Sequence, residues 1–581
     1  MAPPCVPWRG GGVRHGGGRR HSVLQTSGDW EEGDDGDEEA ERGAARPPEE
    51  EEEAPALRAP LLDEQHHALV PKPTRFRRLR HDAVAWFYVV AYVFGAGVLS
   101  IPYAFAKSGL LAASLTMVVV TALSCATSTW VAESCARAEA LTHADVARQQ
   151  IDRAAAGGKT AKLRVSSYQW EIGEMFQLFY GYAWRQVWDI SLLIYATCGN
   201  WLYASVFANS VAASVSTGCG STSGHGRYAW DVALPCQHAY YGSLAAYFVF
   251  QCVLVSFDFK DAWVTQVAMV TMGIACVVLM AFTVTAAIFG WYLDAEEGHD
   301  PSKSYFHDCR AEAHIPADDN PPPYTCDVPI GFRASGFFAN LSTFVFAQLF
   351  QHGAPALVGL CGHKSKAPEV FGAALSMTCG LYVWLGVSAA LFFGEAAVPS
   401  MLTHGWVDYG HTRLQRLLAR LIVVYPAISV TPGLVVQIVT LANAWADRTP
   451  WTWLWPDDVD ENGGDESGAY VPPTYRRAST WHHVTLRWLL VAMACTLAGV
   501  MSDTEKITAF TGLLGYLIMF IAPALLQIRS TSALRAAPNI ATSDTMFTRP
   551  GLSHPAVAMG VLVLTLCVMI PATIAGMTTK H

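Results

Sequence analysis

The sequence predicts an all-α integral membrane protein of about eleven transmembrane helices, built as a five-plus-five inverted repeat with helices one and six broken. Three observations lead there. Of 581 residues, 52% are hydrophobic and only 15% charged, whereas a soluble globular chain carries about 25% charged residues. Apolar runs of membrane-spanning length, about 20 residues, fall near 83–106, 109–135, 183–215, 240–259, 263–290, 336–360, 370–393, 415–445, 484–501, 506–527 and 554–577. The first and sixth runs are interrupted by glycine and proline, and each opens a block of five.

Residues 1–80 read as a disordered, acidic cytoplasmic tail with a basic juxtamembrane end. EEGDDGDEEAER and EEEEEAP carry charge without periodic apolar residues, and TRFRRLR precedes the first span. The net charge of −10 is concentrated in this tail and says nothing about the sign of a ligand. Leu61 and Leu62 form a dileucine of the kind sorting signals use and chance also supplies. The first apolar run starts near Ala83, too far from Met1 for a cleaved signal peptide, so it acts as its own insertion signal. Lys and Arg gather in alternate connections, among them Arg75, Arg80, Arg137, Lys260, Lys364 and Arg477. This places the N-terminus in the cytoplasm and, with eleven spans, the C-terminus outside. The environment this pattern fits is a lipid bilayer, with no nucleic-acid partner.

The connections after spans three and five contain Cys219 with Cys236 and Cys309 with Cys326, all on the outer or lumenal side of this topology. An oxidising compartment suits them as disulfides, with local or cross-loop pairing both open.

Span one reads VAYVFGAGVLSIPYAF, and span six contains FVFAQLFQHGAPALVGLC. Two discontinuous helices at matching positions of two halves point to a ligand site near the bilayer midplane. Unwound backbone is tolerated at that depth only where it lines a cavity or is buried in protein. A break at Gly95, Ala96, Gly97 and Val98 ends one half-helix, whose carbonyls can take a cation, and starts another, whose N–H groups can hold a carboxylate. Glycine there would supply positive φ and a close approach for ligand. The competing reading makes Gly95 and Gly97 helix-packing residues and Pro102 an ordinary kink. Gln351, His352 and Gly353 form the matching break in span six. Tyr195, inside span three, faces either core or ligand.

Three segments resemble the amino acid/auxin permease family: GAGVLSIPYAFAKSGL in the first helix, FVFAQLFQHGAPALVGLCGHKSKAPEVF in the sixth, and LAGVMSDTEKITAFTGLLGYLIMFIAPALLQI across the ninth and tenth. The resemblance extends over about residues 80–577, so residues 81–581 read as one transmembrane amino acid transporter domain. It implies secondary active transport of a small amino acid, driven by protons in many members and sodium in others. The sixth-helix His resembles the vesicular and vacuolar branch, which implies a vacuolar or lysosomal membrane, with the plasma membrane as the alternative. Sodium-dependent members similar to this chain carry Asn where Ala91 stands, and Ala offers no oxygen. The nearest hydroxyls of span eight are Ser429 and Thr431, and the balance favours protons. An amino-acid sensor signalling through the tail, and sodium symport, are the alternatives.

His352 is the one side chain at either break with an unperturbed pKa in the physiological range, about 6.5. It can couple protons, touch substrate, or bond an unwound carbonyl and hold the break open. Arg185 and Asp189, four apart beside Trp184 and Trp188, should pair on one helix face. Glu133, at the end of span two, reads as solvated. Cys361 and His363 lack the further ligands of a zinc site. No Walker loop or Gly-x-Ser-x-Gly element occurs, so neither an enzyme nor a cofactor is expected. The sequon Asn340-Leu341-Ser342 lies within span six, out of reach of glycosylation.

Overall fold

The computed structural model describes residues 75–144, 147–148, 151, 162–165, 170–215, 234–256, 262–289, 328–398, 401–406, 412–446, 480–537, 540 and 542–578. The acidic tail before residue 75 and Cys219, Cys309 and Cys326 lie outside the described residues. Every regular element described is a helix, apart from an isolated bridge between Leu163 and Thr545.

In chain order the helices are α1 (Arg75–Val93), α2 (Gly97–Ser108), α3 (Leu110–Thr142), α4 (Ile172–Tyr180), α5 (Tyr182–Val215), α6 (Leu234–Val255) and α7 (Ala262–Ile288). The second half holds α8 (Ala334–Phe346), α9 (Ala354–Leu360), α10 (Ala367–Ala397), α11 (Arg413–Ala446) and α12 (Thr480–Val500). It ends with α13 (Thr504–Ala536) and α14 (Pro555–Thr578), which keep helical continuity through π-turns at Leu517–Ile521 and Thr565–Met569. Among the described residues, 8 helices are long and apolar enough to cross a membrane, or 9 with the bent pair α1–α2 as one span. The two remaining expected spans are shorter pieces: the apolar stretch Val484–Val500, and the sixth run divided into α8 and α9.

The helix contacts repeat when the two five-span blocks are exchanged. Three helices pack on their own counterparts, α3 on α10, α5 on α11 and α6 on α12. The pair α5–α6 has its match in α11–α12, α7–α10 in α13–α3, and α1–α7 in α8–α13. Self-matching of this kind is what an internal two-fold repeat requires. Small residues let the helices approach closely where lipid supplies no hydrophobic drive. A Cβ on Gly576 of α14 would stand 2.6 Å from the Ala339 nitrogen of α8, and one on Gly512 of α13 would collide with the Ser342 carbonyl.

Glu133 is not solvated. It is fully buried, and its carboxylate accepts from Arg137 Nη2 at 2.6 Å, from Gln527 Nε2 at 2.8 Å and from the Ser553 hydroxyl. Arg137 also donates to Gln527 Oε1 at 2.8 Å, which ties α3 to α13. A charge removed from water needs such partners, and the sequence separation of 394 residues between Glu133 and Gln527 hid them. The Arg185–Asp189 pair forms at 3.7 Å on α5. Asn340 of the sequon is buried and donates to the Gly336 carbonyl at 2.8 Å. Cys236, in the first turn of α6, is buried and is not among the free thiols.

Candidate functional site

At the first break the axes of α1 and α2 diverge by 55°. The carbonyl of Val93, orphaned at a helix C-terminus, accepts the Tyr382 hydroxyl of α10 at 2.7 Å. On the far side, Leu99 bonds back to the Ala96 carbonyl at 3.2 Å, while the N–H groups that open α2 have no intrahelical partner by construction. The break does not use left-handed backbone: Ala96 sits at φ −60°, and neither Gly95 nor Gly97 has positive φ. What the glycines supply is the missing Cβ. One at Gly95 would stand 3.2 Å from the Tyr203 hydroxyl, and one at Gly97 would stand 3.1 Å from Ala347 Cα and 3.3 Å from Phe346 Cδ1. Gly97 is thus the point where α2 crosses the end of α8.

At the second break, α8 stops at Phe346 and a single 3-10 turn, Gln351–Gly353, leads into α9. Pro355 falls in the first turn of α9, where its missing N–H costs no helix bond. Gln351 is fully buried and pins the turn to α3, donating to Ser124 Oγ at 2.8 Å and Thr127 Oγ1 at 3.2 Å while accepting the Phe350 N–H at 3.0 Å. A Cβ on Gly353 would press on the Tyr92 ring at 3.0 Å. Beyond α9, His363 meets Asp82 of α1, with Nδ1 3.3 Å from Oδ2. The two broken helices are therefore linked away from their breaks as well as at them.

Between the breaks lies a cavity of about 100 Å³. α1 and the first break supply Tyr88, Tyr92, Gly95 and Gly97, α5 supplies Tyr195, Gly199 and Tyr203, and α11 supplies Gly433 and Gln437. Phe346, Leu349 and His352 close it from the sixth span. The His352 ring stands between two phenols, with centroids 5.3 Å from Tyr92 and 5.7 Å from Tyr195. Its Nδ1 is buried with no hydrogen-bond partner among the described residues. Among the described residues, no Asp, Glu, Lys or Arg lines the cavity.

Of the residues singled out in the sequence, the cavity brings together Ala91, Gly95, Gly97, Tyr195 and His352. Ala96, Val98, Gln351 and Gly353 belong to the breaks without lining it. Ser429 and Thr431 also stay off it and bond within α11, to the carbonyls of Pro426 at 3.1 Å and Ala427 at 2.8 Å. Sequence reasoning missed the rest of the lining, including Tyr88, Tyr92, Gly199, Tyr203, Gly433 and Gln437. A signal for them existed in the i, i+4 spacing of Tyr88 with Tyr92, of Tyr195 with Gly199 and Tyr203, and of Gly433 with Gln437, which sets each group on one helix face.

A repeated bundle of apolar helices with a cavity between two broken spans defines a multi-pass membrane protein with a candidate small-ligand site at its breaks. Residues 83–548 match the family model of transmembrane amino acid transporter proteins, and the chain belongs to that family. Its substrates are accordingly amino acids moved across a membrane. A comparison with characterised proteins gives no match.

Proposed function

We propose that the chain is a secondary active transporter of a small amino acid, with the cavity between its broken helices as the substrate site and protons as the coupling ion. The observation that carries this reading is the cavity, which is bounded by both breaks and lined by no charged side chain. Helix termini meet a zwitterion there in place of counter-ions. The first-turn N–H groups of α2 face the carboxylate, and the last-turn carbonyls of α1 and α8 face the ammonium. Ser429 and Thr431 lie off the cavity, so neither brings a hydroxyl oxygen to an ion within it. His352 is the titratable group at the breaks, and its buried Nδ1 is open to a proton or to substrate.

The protein belongs, in this reading, in a vacuolar, lysosomal or plasma membrane with its N-terminus cytoplasmic. A bridge at Cys236 goes with it, supported by Cys236 not being a free thiol, with Cys219 the local partner and Cys309 or Cys326 the cross-loop ones. Purified protein in liposomes, loaded with each common amino acid in turn, should show saturable counterflow, and an inward proton gradient should drive uptake without sodium. His352→Gln should keep counterflow and lose gradient-driven accumulation. A sodium requirement, or a His352→Gln protein that still concentrates substrate on a pH gradient, overturns the proton assignment. Binding without counterflow would make the chain a sensor instead.

A further inference from the structure

The end of the cavity formed by α5 and α11 differs from the rest. Gly199 and Gly433 leave it open, since a Cβ on Gly433 would meet the Tyr203 ring at 3.4 Å and one on Gly199 would meet Gln437 Oε1 at 3.4 Å. Tyr203 stands between Gly433 and the first break, its hydroxyl 3.2 Å from where a Gly95 Cβ would be. Gln437 projects into this space beside the Tyr203 phenol, with which its side chain shares a hydrogen bond, and its carbonyl oxygen is buried without a donor among the described residues. A buried acceptor left without a donor costs about 1–3 kcal/mol, so a group that supplies the donor gains what the empty site lacks. Apart from the Tyr203 hydroxyl, which bonds to Gln437, the remaining lining at this end is glycine and aromatic ring, which distinguishes poorly between side chains of equal shape.

We propose that Gln437 determines the specificity of the cavity, its Oε1 accepting a hydrogen bond from the side chain of a neutral amino acid that carries a hydroxyl or amide donor. The inference rests on the cavity being the amino-acid site proposed above. Aliphatic side chains of the same shape leave the oxygen unpaired. Anionic side chains meet an acceptor and no counter-ion, and cationic ones meet no carboxylate.

The test compares two isosteric pairs, radiolabelled threonine against valine and asparagine against leucine, by counterflow in liposomes with the full-length chain. Wild type should prefer the donor-bearing member of each pair by at least about tenfold. In Gln437→Met and Gln437→Leu that preference should fall to about twofold or less, through loss of the polar substrate. A ratio taken within one preparation does not depend on how much of the variant has folded. If wild type moves none of the common amino acids, the transporter reading itself fails. If wild type transports but shows no preference within either pair, or if either variant keeps the preference, the inference alone is overturned. Equal loss of all four substrates in both variants also overturns it, since Gln437 would then be structural.

Discussion

Removing one member of the buried Glu133–Arg137 pair should destabilise the protein far more than its charge count suggests, and removing both charges should restore much of the loss. The two side chains are 0% and 3% exposed and meet at 2.6 Å, so solvent does not screen them. Arg137→Met leaves the Glu133 carboxylate with only the neutral donors Gln527 Nε2 and Ser553 Oγ. Stranding a buried charge in this way costs about 3–5 kcal/mol. It also leaves the Gln527 Oε1 acceptor without its donor at 2.8 Å, a further loss of about 1–3 kcal/mol. In Glu133→Gln with Arg137→Met the first loss disappears and the second stays, so the double variant should be at least about 2 kcal/mol more stable than the sum of the single changes predicts. Denaturant unfolding of the four proteins in detergent measures this coupling. Strictly additive losses would refute the reasoning, because they would mean that neither charge depends on the other.

Two further changes test the breaks. Gly97→Ala puts a methyl group 3.1 Å from Ala347 Cα, which should cost about 1–3 kcal/mol of strain and weaken substrate affinity, and Gly97→Val should abolish binding in protein that still reaches the membrane; unchanged affinity in a well-expressed Gly97→Val protein would remove the first break from the site. Gln351→Met keeps length but gives up the bonds to Ser124, Thr127 and the Phe350 N–H, so the unfolding midpoint and the uptake rate should both fall, with a loss of about 1–3 kcal/mol for the stranded N–H; wild-type values for both would show that the turn holds itself.

The fold was legible because membrane helices announce themselves by composition, and because both breaks contain residues a continuous helix disfavours. Gly95, Gly97, Gln351 and His352 could be picked out one by one on that ground. Their division of labour could not. Gln351 and His352 are adjacent, yet one faces Ser124 and Thr127 of α3 and the other faces Tyr92 and Tyr195. Adjacent residues in a tight turn point in different directions, and which direction holds the partner is a property of the neighbouring helices. Glu133 shows the same limit, since its position near a helix end reads as solvated until α13 is placed beside it.

Tyr203, Gly433 and Gln437, which sequence reasoning missed, lie on unbroken helices, and these differ from broken ones in what they can bring to the cavity. A broken helix adds backbone ends to side chains such as Tyr92 and His352, and those ends suit the part every amino acid shares, its carboxylate and ammonium. Continuous helices contribute only side chains, or their absence at glycine, and so can answer only the part in which amino acids differ. Tyr203, Gly433 and Gln437 sit on α5 and α11, the pair related by the exchange of the two halves. The exchange preserves the common role, because both breaks survive it, but not the individual side chains: α5 brings Tyr195 and Tyr203 to the cavity where α11 brings Gly433 and Gln437. Recognition of the shared backbone can therefore be symmetric in origin while discrimination rests on what the two halves no longer have in common.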